Sequence, residues 1–280
     1  MSKFLVTAGW NDDGYQSNSE IIDLSIKGDS NCKDWAQFPK DVSGPTGGVI
    51  QDTVIVCGGF NYDLYESVDV CYSLNSKTTT LKTHMSVGRA FAASLVIDET
   101  TLWITGGWSS DTVSWSSILD TSELITLEGN ELGPQLPIHV DNHALVAIDN
   151  TLSMLIGGRT PVSIDNVITR TTHYFDHQEN NWIQGPDLMQ GRMLHAAGVV
   201  IDEVTTEKLV IVTGGYYNGI LLDSTEILFN NQWNQGKIAH YYSMDKGVWH
   251  VNWPIWLKFT FEGANFIEIQ LLTSYSCTVV

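Results

Sequence analysis

Apolar runs that close on a small residue and glycine punctuate this chain at near-even intervals. They read Phe4-Leu5-Val6-Thr7-Ala8-Gly9, Val54-Ile55-Val56-Cys57-Gly58-Gly59 and Leu102-Trp103-Ile104-Thr105-Gly106-Gly107. Met154-Leu155-Ile156-Gly157-Gly158 and Val210-Ile211-Val212-Thr213-Gly214-Gly215 complete the set. A short apolar run without polar alternation reads as a strand covered on both faces. The closing glycines recur after 50, 48, 51 and 57 residues, so the strand belongs to a repeated unit. An aromatic residue follows in four units (Trp10, Phe60, Trp108, Tyr216), and Arg159 follows in the other.

The flanks repeat too. After each glycine comes a loop and then a Ser/Thr-acid-apolar strand: Ser19-Glu20-Ile21, Ser67-Val68-Asp69-Val70, Ser122-Glu123-Leu124 and Thr225-Glu226-Ile227. The fourth unit departs with Thr172-His173-Tyr174. Trp35, Trp182 and Trp233 come next, with Leu81 and Leu132 expected in their place in the other two units. A further apolar strand, led by Arg89 or Arg192, precedes the glycine-closed run. Four short strands per unit, the inner two apolar and the outer two mixed, predict blades that run from an axis to a rim. The expected fold is an all-β propeller of four-stranded antiparallel blades over residues 1–236, with about five recognisable units. Met1 stands directly before the first glycine-closed run, so the first unit is expected to lack its innermost strand, and the ring to be open unless the tail completes it.

The glycine pair, the acidic strand, the tryptophan and the Arg-led inner strand together resemble the kelch repeat family, over roughly residues 1–236. The resemblance implies a propeller used for protein recognition. Some members recruit substrates for ubiquitination through a separate oligomerising domain, which nothing here matches. From 237 to 280 the pattern decays. A hairpin of 255–261 with 266–272 is expected there, and two readings stay open: a hairpin that closes the ring, or a non-native segment.

Charge narrows the partners. With 14 Lys+Arg against 32 Asp+Glu, the net charge is −18, a field that repels nucleic acid and anionic membranes. The expected partner is therefore a protein or peptide, with no nucleic acid and no membrane span. No stretch approaches ~18 consecutive apolar residues. As written, without a signal peptide, the chain reads as cytoplasmic.

No nucleophile elbow, phosphate loop or zinc-protease motif is present, and neither cofactor nor metal is expected. His139 and His143 are four apart, as are His173 and His177, but that spacing makes a metal pair only on a helix. A copper-dependent oxidase or a sugar-active enzyme on the same fold is the first alternative, and a truncated fragment of a larger kelch protein is the second. Within the family resemblance, Arg89 and Arg192 stand where an inner-strand arginine contacts an acidic peptide; their other reading is structural, bonded to neighbouring carbonyls. Arg159, Tyr62, Trp108, Trp115, Tyr216 and Tyr217 lie in the loops after the glycines, the usual place for recognition. Cys57 and Cys71 fall on neighbouring antiparallel strands. Pairing them sets Val56 against Tyr72 and Val54 against Leu74, close enough to bridge. The sequence around them also resembles secreted kelch-containing proteins of arthropods, which implies an oxidising compartment.

Overall fold

The computed structural model describes residues 3–11, 14–23, 32–111, 117–162, 165–201, 206–236, 243–245, 248–250, 255–261 and 264–271. These form strands and connecting turns without helix. Four sheets of four antiparallel strands follow one another along the chain. The second unit is Thr46–Ile50, Thr53–Cys57, Val70–Leu74 and Thr79–His84. The third is Ala93–Val96, Leu102–Thr105, Ser122–Ile125 and Asn130–Leu132. The fourth is Ala144–Ala147, Leu152–Ile156, Thr172–Asp176 and Asn181–Gln184. The fifth is Ala196–Ile201, Lys208–Thr213, Thr225–Phe229 and Gln232–Gly236. The first unit has three described strands, Lys3–Asn11, Gly14–Asp23 and Cys32–Asp34.

Burial explains the order of strands. Leu102–Thr105, second from the axis, is buried throughout, and Asn130–Leu132 at the rim is exposed throughout. The innermost strands of the second to fifth units are neighbours in chain order, the arrangement of blades about an axis. Between the second and third units Ile55, Cys57 and Met85 pack on Leu102, Ile104 and Ile125. Between the fourth and fifth, Met154 and Ile156 pack on Val210, Val212 and Trp233.

Two backbone ladders tie the units together around the axis. Gly59 N–H donates to Arg89 O, Gly107 N–H to Val140 O and Gly158 N–H to Arg192 O. Phe91 N–H donates to Gly44 O, Asn142 N–H to Phe91 O and Leu194 N–H to Asn142 O. The first ladder requires the glycines. Gly58 has φ +71, and a Cβ there would stand 2.2 Å from Arg89 O. Gly59, at φ +104, would drive a Cβ to 2.8 Å from Val42. Both the left-handed backbone and the close approach exclude a side chain.

The tryptophans do not all share one place. Trp182 faces Phe175 and Trp233 faces Leu228 across the outer strand pair. Trp35 instead donates its N–H to Ser19 O, the bond that Gly185 makes to Thr172 O, so it stands three positions further on. Leu81 and Leu132 do not replace tryptophan either; they are 51% and 71% exposed. Trp103, from the second strand of its unit, fills the space beside Phe175 and Trp182, with ring centroids 4.9 and 5.7 Å away. The acidic strand motif also shifts in the second unit: Asp69 precedes the strand Val70–Leu74, and Tyr72 takes the place of Glu123, opposite Val56.

In the tail, Ile255–Phe261 pairs with Ala264–Leu271, and Ser243–Asp245 pairs with Val248–His250. Among the described residues each hairpin is a sheet of its own and the ring of units is open.

Candidate functional site

The up-and-down course of each unit puts two sets of loops at the same end: those after the glycine pairs and those that lead into the next unit. Among the described residues the opposite end carries tight turns. Three of the glycine loops fold back as small hairpins: Phe60–Asn61 with Glu66–Ser67, Arg159–Val162 with Asp165–Ile168, and Tyr216–Tyr217 with Ile220–Leu221. Among the described residues the loop end is therefore built up and the turn end is not.

Arg89 and Arg192, expected at the opening as contacts for a partner, are sealed inside: they are 1% and 0% exposed. Arg89 Nη1 donates to Gly106 O (2.9 Å) and Thr121 O (3.1 Å), and Nη2 donates to Glu123 Oε1 (2.8 Å). Arg192 repeats the set with Gly214 O (2.8 Å), Ser224 O (3.2 Å) and Glu226 Oε1 (2.7 Å). The carboxylates reach on to the linking loops. Glu123 accepts the Ser86 N–H, and Glu226 accepts the Met189 N–H. Burial pulls the Arg89 guanidinium down from its ordinary value, and Glu123 opposes that pull. These groups hold a blade to the loop that enters it.

Arg159 is different. It stands where the other units carry an aromatic, and its backbone bridges Asp141 as Trp108 bridges Ala90 and Tyr216 bridges Met193. Asp141 is wholly buried and accepts from Nε (3.0 Å) and Nη2 of Arg159, whose side chain stays about one-third exposed. The bond to Asp141 raises the Arg159 pKa. The loop end thus presents a guanidinium held from below. Asp141, Glu123 and Glu226 escaped the sequence reading as partners. One signal was available: arginine precedes the inner strand only in units whose third strand carries Glu.

Among the aromatic candidates, Tyr62 is exposed, while Trp108, Tyr216 and Tyr217 are half-buried. Trp115 lies outside the described residues. Phe60, buried, gathers Tyr62, Tyr65 and Trp108 around its ring. Tyr216 and Tyr217 sit one unit beyond Arg159, so the candidates spread over the loop end rather than converge on one pocket.

The histidines go separate ways. His139 Nδ1 meets Ile118 O (2.7 Å), while His143 Nε2 meets Thr105 Oγ1 (2.8 Å). His177 Nε2 meets Ser153 Oγ (2.8 Å). Burial, aided by the neighbouring His195, pushes the His143 imidazole down to about 3. His195, with both ring nitrogens buried, is likewise pushed down to about 3, by burial first and the Arg192 charge second. Among the described residues no three His, Cys, Asp or Glu side chains gather as a metal site would require. Cys57 faces Cys71 across the strand pair, with Cα atoms 4.0 Å apart and the sulfurs bonded. The other two cysteines lie outside the described side chains.

No family model and no curated protein matches this sequence. The fold does have a match. A solved structure titled "Structure of YjhT" superposes with a TM-score of 0.68. The match covers 96% of this chain and 90% of that one at 14% identity. YjhT is a propeller-type protein, and at this identity the likeness speaks for the fold alone. No helix among the described residues is long and apolar enough to cross a membrane.

Proposed function

We propose that the chain is a kelch-type propeller that binds a protein or peptide partner on its loop end. One observation carries this reading. Of fifteen exposed large apolar side chains among the described residues, nine lie in loops or loop hairpins of this end: Tyr62, Leu64, Tyr65, Val162, Val167, Met189, Leu194, Ile220 and Leu221. The remaining six lie on blade strands, and among the described residues none lies in the turns of the opposite end. Apolar groups on loops held by a rigid scaffold are the material of recognition surfaces. The kelch assignment rests on the five glycine-closed units and their spacing. The Cys57–Cys71 bond supports an oxidising compartment, in line with the resemblance to secreted kelch-containing proteins.

The test is a footprint. The full chain is used to capture partners from its source, and hydrogen exchange is compared with and without the captured partner. Protection is expected over 60–66, 159–168 and 216–222. Protection confined to the turns at 75–78, 126–129 and 177–180 would sink the reading.

A further inference from the structure

The junction between the second and third units carries an aromatic platform. Phe60 is buried and takes Tyr62, Tyr65 and Trp108 edge-on, with centroids 4.5, 5.4 and 5.1 Å away. Tyr62 is 41% exposed and Tyr65 is 74% exposed. The platform is braced. Ser67 and Ser110 exchange N–H to Oγ bonds of 2.8 and 3.0 Å across the two units. Asn61 Oδ1 accepts the Leu64 N–H at 2.9 Å and so sets the turn that carries both tyrosines. Rings fixed in this way need little further ordering when a partner arrives.

Charge selects the occupant. Asp63 stands between the two tyrosines, and Asp111 stands on the adjoining loop; both are exposed. The cations of this junction are already paired: Lys40 Nζ lies 3.5 Å from Glu66 of the hairpin that carries the tyrosines, and Arg89 is sealed against Glu123. In the loops of the fourth unit, by comparison, acids are met by arginines, Asp141 by Arg159 and Asp187 by Arg170. Exposed aromatic rings with surplus carboxylates complement a cation, because the ring quadrupole and the carboxylates attract the same sign.

We infer that this platform receives a lysine- or arginine-bearing segment of a protein partner, the cation lying over the tyrosine rings with Asp63 and Asp111 as counter-charges. The inference rests on the loop-end reading above and gives its partner a chemistry.

Calorimetric titration of the full chain with a ten-residue Arg/Ser peptide, and with an Asp/Ser peptide of equal length, tests it at low and moderate salt. The Arg/Ser peptide should bind. Tyr65→Ala should weaken it about fivefold, and Asp63→Asn with Asp111→Asn about tenfold at low salt. A control that removes the same charge elsewhere, Glu128→Gln with Glu131→Gln, should change affinity less than twofold. Each variant's melt checks that it is folded, and the exposed side chains make that the expected result. Equal weakening by both charge pairs would show only the average field of the −18 chain and would overturn the site. Failure of the Arg/Ser peptide to bind, or preference for the Asp/Ser peptide with loss on Arg159→Ala, would also overturn it while leaving loop-end binding intact. A partner footprint on the opposite turns would remove both.

Discussion

The third and fifth units solve one packing problem with charge, and the second and fourth solve it without. The residue four places after the buried Met85 or Leu188 is Arg89 or Arg192, and it reaches a glutamate on the third strand. Four places after Leu136 stands Val140, and the residue in the glutamate's place, opposite Leu155, is His173. Four places after Phe38 stands Val42, and Tyr72 takes the glutamate's place. In these four units the arginine and the acid come or go together. Physical chemistry gives the reason: a buried pair is tolerable, whereas a lone buried charge is not. The same logic governs the loop end, where Asp141 with Arg159 replaces the Ala90–Trp108 and Met193–Tyr216 bridges.

The sharpest way to break this comparison is to give the fourth unit half of the pair. Val140→Arg should cost about 3–5 kcal/mol in urea unfolding, because no carboxylate waits at His173. Adding His173→Glu should recover at least half of that loss; a second substitution that merely adds to the first would show that the two positions do not face each other.

The second unit differs from the others by its cystine. The places of Cys57 and Cys71 are held by Thr105 and Ser122 in the third unit. Cys57→Thr with Cys71→Ser should lower stability by about 3 kcal/mol, the order expected for a loop of this length. Alkylation without reductant, followed by mass spectrometry, should find neither thiol in protein from its native compartment. Free thiols at both positions would end the proposal of an oxidising compartment.

A third contrast concerns protons. The third unit has Ala92 where the fourth and fifth have His143 and His195, three residues after Val140 and Arg192. Both imidazoles are depressed to about 3 in the folded chain, from ~6.5 when unfolded. The unfolded chain therefore binds protons first as pH falls, and stability drops from about pH 6.5 toward 3. At pH 5 each histidine should cost ~2 kcal/mol. His143→Ala should flatten the fall in melting temperature between pH 7 and 5; an unchanged slope would contradict the buried, neutral imidazole.

The smallest effect is expected at the loop end. Arg159 is about one-third exposed, so Arg159→Ala lets water reach Asp141, which also keeps the Asn142 amide (3.0 Å), and should cost about 1–2 kcal/mol. Restoring the pattern of the third unit, with Asp141→Ala and Arg159→Trp together, should cost less than Arg159→Ala alone.

Much of the fold was legible in the chain, because repeats and strand periodicity are local properties. Glycine at Gly58 and Gly59 and apolar runs such as Leu102–Thr105 declare a strand and its turn wherever they stand. The register of the Cys57 strand against the Cys71 strand follows from side-chain alternation and a short loop. Tertiary structure alone decided what the polar side chains do. Arg89 reads as a free cation until Glu123, 34 residues on, is carried back beside it across two strands and a loop. Trp35 reads as the equal of Trp182 until its N–H is seen to make the bond of Gly185. A strand pattern constrains neighbours within a few residues, whereas the fate of a charge or a ring depends on which distant surface removes it from water.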